Sequence, residues 1–157
     1  MNDGDDVRLV CFSDLSATVV RNRLLAAHDR FWTTDARTLH HPVWFHQFGG
    51  FGVLAMSGSG EDVGYLLGTV TVDRLAYLHL LAVRDDRRRD GLGRRLCRWF
   101  DDLAVSTGAR VVQAVTRPDN TPAVAFHTAL GASSHLSRDH AGPGADRTVL
   151  TRSLPTA

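Results

Sequence analysis

Residues 76–103 read AYLHLLAVRDDRRRDGLGRRLCRWFDDL, and the fold is decided there. From Tyr77 to Val83 the run is apolar apart from His79, the pattern of a strand covered on both faces. After Gly91 the period changes. Leu92, Leu96, Trp99, Phe100 and Leu103 fall at offsets 0, 4, 7, 8 and 11, one apolar stripe of an amphipathic helix. Between the two lies Arg88-Arg89-Asp90-Gly91-Leu92-Gly93. Glycines allow close approach of the backbone, and the first N–H groups of a helix have no internal acceptor. A strand that feeds such a turn makes an anion site. A phosphorylated ligand is expected.

Outward from this stretch, the chain has 157 residues, of which 43% are hydrophobic and 22% charged. That balance describes one globular domain over 1–157 with a real core. A net charge of +1 gives no reason to expect nucleic acid or an acidic membrane surface. No aromatic residues interleave with the basic ones in the turn, as single-strand binders arrange them. All 18 basic residues are arginine, which favours planar phosphate recognition where they cluster. Seven lie between Arg84 and Arg98. The alternative for them is a solvated face balanced by Asp85, Asp86 and Asp90. Cys11 and Cys97 sit in apolar patterns and read as buried thiols of a reducing cytosol. No apolar run approaches the ~18 residues of a membrane span, and no signal peptide is evident, so a cytoplasmic protein is expected. The acidic opening, residues 1–6, reads as disordered.

In order, Val7–Phe12 reads as a strand, and Ser13 or Ser16 as the cap of a helix carrying Leu15, Val19, Leu24 and Leu25. A less regular helical region follows over Arg30–His41 and stops before Pro42. Trp44, Phe45, Phe48 and Phe51 then crowd into eight residues. They are core, or some of them line an acceptor pocket, with Trp44, Phe45 and Phe48 the candidates. Gly52–Ser57 and Val63–Val72 form a hairpin, and a turn at Asp73-Arg74 leads into the opening strand. The long helix stops at Thr107-Gly108. Arg110–Thr116 is a strand reached through a helix, hence parallel to Tyr77–Val83. Thr121–Leu130 is a short helix, and Ala132–Leu136 with Arg147–Leu154 a final hairpin around a loose AGPGAD loop. The order β-α-α-β-β-β-α-β-α-β-β around one mixed sheet is a single α/β domain.

Three phosphate loops are to be separated. A P-loop needs a lysine, and the chain has none. A dinucleotide fingerprint needs a third glycine, and the position three after Gly93 is Leu96. The remaining pattern, V-x-x-x-x-R-x-x-G-x-G at Val83, Arg88, Gly91 and Gly93, resembles the pyrophosphate motif of the GNAT acetyltransferase superfamily. Downstream, Asn120-x-x-Ala123-x-x-Phe126-His127-x-x-Leu130-Gly131 is similar to that family's N-x-x-A-x-x-F-Y-x-x-x-G segment. YLHLLAV and AFHTALG resemble the subgroup whose fourth strand reads like YIHFVGV and whose later helix reads like AFHRxxG. The resemblance covers roughly Gly52 to Leu154.

The resemblance implies a three-layer α/β/α fold around a mixed, mostly antiparallel sheet of about seven strands. It implies acetyl-CoA, or another acyl-CoA, as co-substrate. The backbone of Leu81, Ala82 and Val83 would pair with the pantetheine arm. The N–H groups of Arg88, Arg89, Asp90, Gly91, Leu92, Gly93 and Arg94 would hold the pyrophosphate. Asn120 would meet or position the pantetheine, and Phe126 would pack near the CoA end.

The family usually carries a tyrosine where this chain has His127. Imidazole titrates near ~6.5 and donates a proton more readily than a phenol near ~10. His127 is therefore read as the acid or a thiol contact, or as a hydrogen-bonded core residue on the face of Ala123, Phe126 and Leu130. His79 alternates onto the face of Leu81 and Val83, where relatives carry a glutamate that takes the amine proton. A neutral imidazole can do the same, a buried structural histidine being the other reading. Tyr77 is the fallback, and the N–H near Leu81 would meet the oxyanion. His40, His41 and His46 have no second ligand spacing, so no metal is expected. His28, His135 and His140 read as surface residues. The function expected is N-acyl transfer, most simply of acetyl, to a primary amine of a small molecule or peptide by direct attack in a ternary complex. The other reading is an acyl-CoA-binding sensor or interaction module of the same fold, catalytically weak or inactive. Relatives often pair, so a homodimer is among the states the resemblance allows.

Overall fold

The computed structural model describes residues 6–156. Most of the acidic opening, residues 1–5, and Ala157 lie outside that range. Seven strands and four α-helices alternate in the expected order: β1 (Arg8–Cys11), α1 (Ala17–Ala26), α2 (His28–Phe31), β2 (Val53–Met56), β3 (Asp62–Val70), β4 (Leu75–Val83), α3 (Leu92–Ser106), β5 (Val111–Thr116), α4 (Thr121–Ala129), β6 (Ser133–Ser137) and β7 (Arg147–Ser153). The strands form one open sheet in the order β1-β2-β3-β4-β5-β7-β6. The β1–β2, β2–β3, β5–β7 and β6–β7 ladders are antiparallel, whereas β4 and β5 run parallel. The fold is mixed α/β with a mostly antiparallel sheet. The described residues group into two compact units.

The first unit takes the chain up to Thr69 and returns for Leu80–Leu103. Its core holds Phe12, Leu24, Phe45, Leu54, Tyr65 and Leu67, all essentially inaccessible. Ser16 caps α1 by its extended backbone, with no side-chain bond. The helix buries Val20 and Leu24, whereas Val19, expected on the apolar face, is 57% exposed. A Cβ on Gly52 would lie 2.5 Å from Phe12 Cδ2, so only glycine lets β2 enter beneath that ring. Gly64 plays the same part for α3. A Cβ there would meet Ala82 O at 3.1 Å, Leu96 Cδ1 at 3.2 Å and Leu92 Cδ2 at 3.3 Å, so its absence lets the first turns of α3 lie close on the sheet.

The second unit comprises Val70–His79 and Ala104 onward. Here β5 is flanked by the first half of β4 and by β7, and β6 closes the edge with four of its five residues exposed. The AGPGAD loop, expected to be loose, is tied down. Asp139 N–H donates to Asp146 Oδ1 and Gly144 N–H to Asp139 Oδ1, each at 2.8 Å.

Four further expectations need correction. Strand β4 is not covered on both faces: Ala76, Leu78, Leu80 and Ala82 are buried, while Leu75, Tyr77, His79, Leu81 and Val83 are half-buried. The Arg30–His41 helix shrinks to α2 and a 3-10 turn at Arg37–Leu39, with the chain between them held by side chains rather than by helical bonds. His28 is buried, at 3% exposure, because it supplies one of those bonds. Cys97 is buried as expected and Cys11 only half so. Both are free thiols.

Candidate functional site

In the first unit, the alternation of burial along β4 runs without a slip, so its backbone groups alternate regularly too. Arg84 N–H donates to Val63 O at 2.9 Å, toward β3. The N–H and C=O of Val83 and Leu81 therefore face the other way. On that side the ladder with β5 covers only Leu75–Leu78. Beyond it the β4 edge carries peptide groups with no strand partner, the condition for an extended ligand to add on as a strand.

From the end of β4 the chain turns through a 3-10 turn at Asp85–Arg87 into α3. Arg89 (φ 71°) and Gly91 (φ 78°) are both left-handed, and this turns successive N–H groups toward one side as an anion-binding nest. Among the described residues, no amide from Arg88 to Arg94 has an acceptor. The first bond at the start of α3 is Arg95 N–H to Gly91 O at 3.1 Å. The helix dipole places its positive end at the same amides.

The seven arginines divide by what their guanidinium groups already hold. Arg84 is buried, at 7% exposure, and makes a two-pronged bond to Asp86 (2.6 and 3.0 Å), with Glu61 3.6 Å away. The partnership holds the Asp86 carboxyl below its usual range and raises Arg84. Arg88 donates to Val83 O at 3.2 Å and to Phe31 O at 2.9 Å. Arg89, Arg94, Arg95 and Arg98 are exposed and have no side-chain partner among the described residues. Of the seven, four guanidinium groups are uncommitted, two are structural, and Arg87 is half-buried with a partner of its own.

The region before β2 holds what the sequence did not disclose, a buried polar network. Ala36 N–H donates to His28 Nε2 at 3.0 Å, which leaves the proton of a neutral His28 on Nδ1, directed at Asp29 Oδ1 at 2.8 Å. Ala36 O accepts from His40 Nδ1 at 2.8 Å, so His40 Nε2 accepts the Tyr65 hydroxyl at 2.7 Å. The phenol oxygen in turn accepts Trp32 Nε1–H at 2.8 Å. Every proton in the chain of bonds has one direction only. Burial pushes the Tyr65 phenol well above its ordinary range. His40 is thus occupied at both ring nitrogens, and His41 accepts Val43 N–H on the surface. Among the described residues no group of His, Cys, Asp or Glu could hold a metal ion. Of the acceptor-pocket candidates, Phe45 is 1% exposed and packs on Phe12 and His40, so it serves the core. Trp44 and Phe48 are half-buried with ring centroids 5.3 Å apart.

In the second unit, Tyr77 and His79 stand two residues apart on one face of β4, ring centroids 5.8 Å apart, with burial raising the Tyr77 phenol. Asn120 caps α4. Its Oδ1 accepts Ala123 N–H at 3.3 Å and its Nδ2 donates to Thr116 Oγ1 at 3.0 Å. Phe126 meets His127 edge-on at 5.2 Å. Burial first, and then the Arg152 charge, lower His127 to about 4. Its imidazole is neutral at pH 7.

Residues 19–132 match the Acetyltransferase (GNAT) family in sequence. No curated protein matches the chain. Among solved structures it is similar to the ribosomal-protein-S18-alanine N-acetyltransferase from Escherichia coli, at 18% identity and TM-score 0.70, over 96% of each chain. Ard1 from Thermoplasma volcanium gives 18% and 0.73, over 95% of this chain and 98% of that one. The structure of yncA from Salmonella typhimurium with its cofactor acetyl-CoA gives 18% and 0.66, over 96% and 94%. At these identities the likeness is one of fold.

Proposed function

The chain belongs to the acetyltransferase (GNAT) family, and from that premise we propose that it is an acyl-CoA-dependent N-acyltransferase. It transfers acetyl from acetyl-CoA to a primary amine of a small molecule or peptide by direct attack in a ternary complex. The observation that carries this reading is the unbroken run of open amides from Arg88 to Arg94, set among uncommitted arginines. Such a run suits a diphosphate, and the β4 edge at Leu81–Val83, which has no strand partner although Val83 O accepts from Arg88, suits the amide-bearing arm that follows it. The reading takes 1–157 as one catalytic domain, supported by a family match that runs through both compact units.

Each residue then has a task. The Leu81 N–H, on the open side of β4, meets the carbonyl oxygen as negative charge grows there. His79 receives the proton of the attacking amine, with Tyr77 beside it as the fallback. The C–N bond forms, the C–S bond breaks, and the sulfur leaves as thiolate. His127 is neutral and serves as a hydrogen-bond donor to sulfur rather than as an imidazolium acid. Trp44 and Phe48 face the acceptor.

The test is calorimetry with acetyl-CoA. We expect a micromolar Kd that Gly91→Glu weakens at least tenfold, because a side chain there is strained and its charge opposes the anion. Absence of heat with acetyl-CoA, other acyl-CoAs and free CoA would falsify the proposal. The lowered His127 favours a second reading, an acyl-CoA sensor without turnover. Thiol release against an amine panel separates the two, with His79→Ala expected to reduce kcat a hundredfold or more in an enzyme, within the ordinary range for general-base removal.

A further inference from the structure

Arg88 has its backbone in the proposed diphosphate turn and its side chain elsewhere. One guanidinium bridges Val83 O at the end of β4 and Phe31 O at the end of α2, residues 57 positions apart from it in the latter case. The Phe31 carbonyl lies in the last turn of α2, where carbonyls lack helical donors, and Arg88 supplies one bearing a charge. A second tie runs alongside, from Arg30 to Asp86 at 3.4 Å, the aspartate that Arg84 grips. From Phe31 the chain passes directly into the buried network: Trp32 to Tyr65, Tyr65 to His40, His40 to Ala36 and Ala36 to His28. Phe31 itself packs edge-on against Tyr65, centroids 5.1 Å apart. Residues 31–40 are thus clamped at one end by the turn and held internally by bonds with fixed proton directions.

We infer that Arg88 is a positioning residue: its side chain couples occupancy of the 88–94 amides to the order of residues 31–40, the segment leading to Trp44 and Phe48. An anion on the Arg88 amide fixes that residue's backbone and with it the guanidinium. The Phe31 carbonyl is then held in place, and opening of the segment costs more. Coupling of this kind is reciprocal, so an acceptor that orders 31–40 tightens the hold on acyl-CoA. The inference rests on the acyl-CoA reading above.

Hydrogen exchange read by mass spectrometry, with and without saturating free CoA, tests it, with calorimetry on the same samples. In the wild type, amides of 32–40 are expected to slow about fivefold or more on CoA binding, the lower end of ordinary inter-site coupling. Arg88→Gln should reduce that slowing to less than about twofold at saturation, and Arg88→Lys should restore part of it. Trp32→Phe removes the indole donor and leaves the turn intact. It should bind CoA within about twofold of wild type yet transmit less protection to 36–40, and it keeps the test alive where Arg88→Gln fails to fold or bind. CoA binding with unchanged exchange at 32–40 overturns this inference alone, as does full transmission in both variants. No CoA heat in the wild type removes the functional reading and this one together.

Discussion

At the scale of the residue, His127 and Tyr65 show how burial decides chemistry. His127 titrates near 4 in the fold and near ~6.5 when unfolded, so the unfolded chain binds the extra proton between those values. The stability this neutral histidine confers is present above pH ~6.5 and is lost as the pH falls toward 4, by about 3 kcal/mol in total. Urea midpoints at pH 7.5 and 4.5 should therefore converge in His127→Phe relative to wild type. Tyr65→Phe strips a partner from both Trp32 Nε1 and His40 Nε2, inside the core. A loss of about 2–4 kcal/mol in chemical denaturation is expected, the cost of unpaired buried polar atoms. Burial of His127 was one of the two readings its helical face allowed, whereas the role of Tyr65 was not legible in the sequence. His127 stood out as a histidine at a tyrosine's place and on one face with Ala123, Phe126 and Leu130, but nothing in local spacing joins His40 to Tyr65, 25 residues away.

At the scale of the element, periodicity was a sound guide wherever one packing face dominates. The α3 stripe needed only the 3.6-residue period, and its end carried a glycine signal. It failed over Arg30–His41, because side chains bonding across the loop replace helical bonds there. It also misjudged β4, since a run such as LHLLAV contains too few polar residues to reveal an uncovered face. Gly64 marks a dependence that periodicity does not express. Gly64→Ala should cost about 1–3 kcal/mol by pressing on Ala82, Leu92 and Leu96, and should also weaken CoA binding by shifting the start of α3. A variant that loses stability but binds CoA like wild type would show that α3 and its turn tolerate the shift.

At the scale of the whole molecule, the near-zero net charge conceals a local one. The open-amide turn at 88–94 was readable because it is a contiguous motif, whereas the buried network over residues 28–40 and Tyr65 joins segments with no sequence signature. Arg89, Arg94, Arg95 and Arg98 remain uncommitted within ten residues, so the association rate for CoA should fall about tenfold as ionic strength rises from ~10 mM to ~500 mM. Stopped-flow traces that ignore salt would mean the amides act without the guanidinium groups. No helix among the described residues is long and apolar enough to cross a membrane.

The bracketing of the Ala36 peptide by two imidazoles has a spectroscopic consequence. The His40 Nδ1 proton and the Tyr65 hydroxyl proton lie where solvent does not reach, each in a bond of 2.8 Å or less. Protons so placed resonate downfield of the amide envelope and exchange slowly. A one-dimensional proton spectrum of unlabelled protein should therefore report, in a pair of isolated peaks, whether the segment tied to the 88–94 turn is closed.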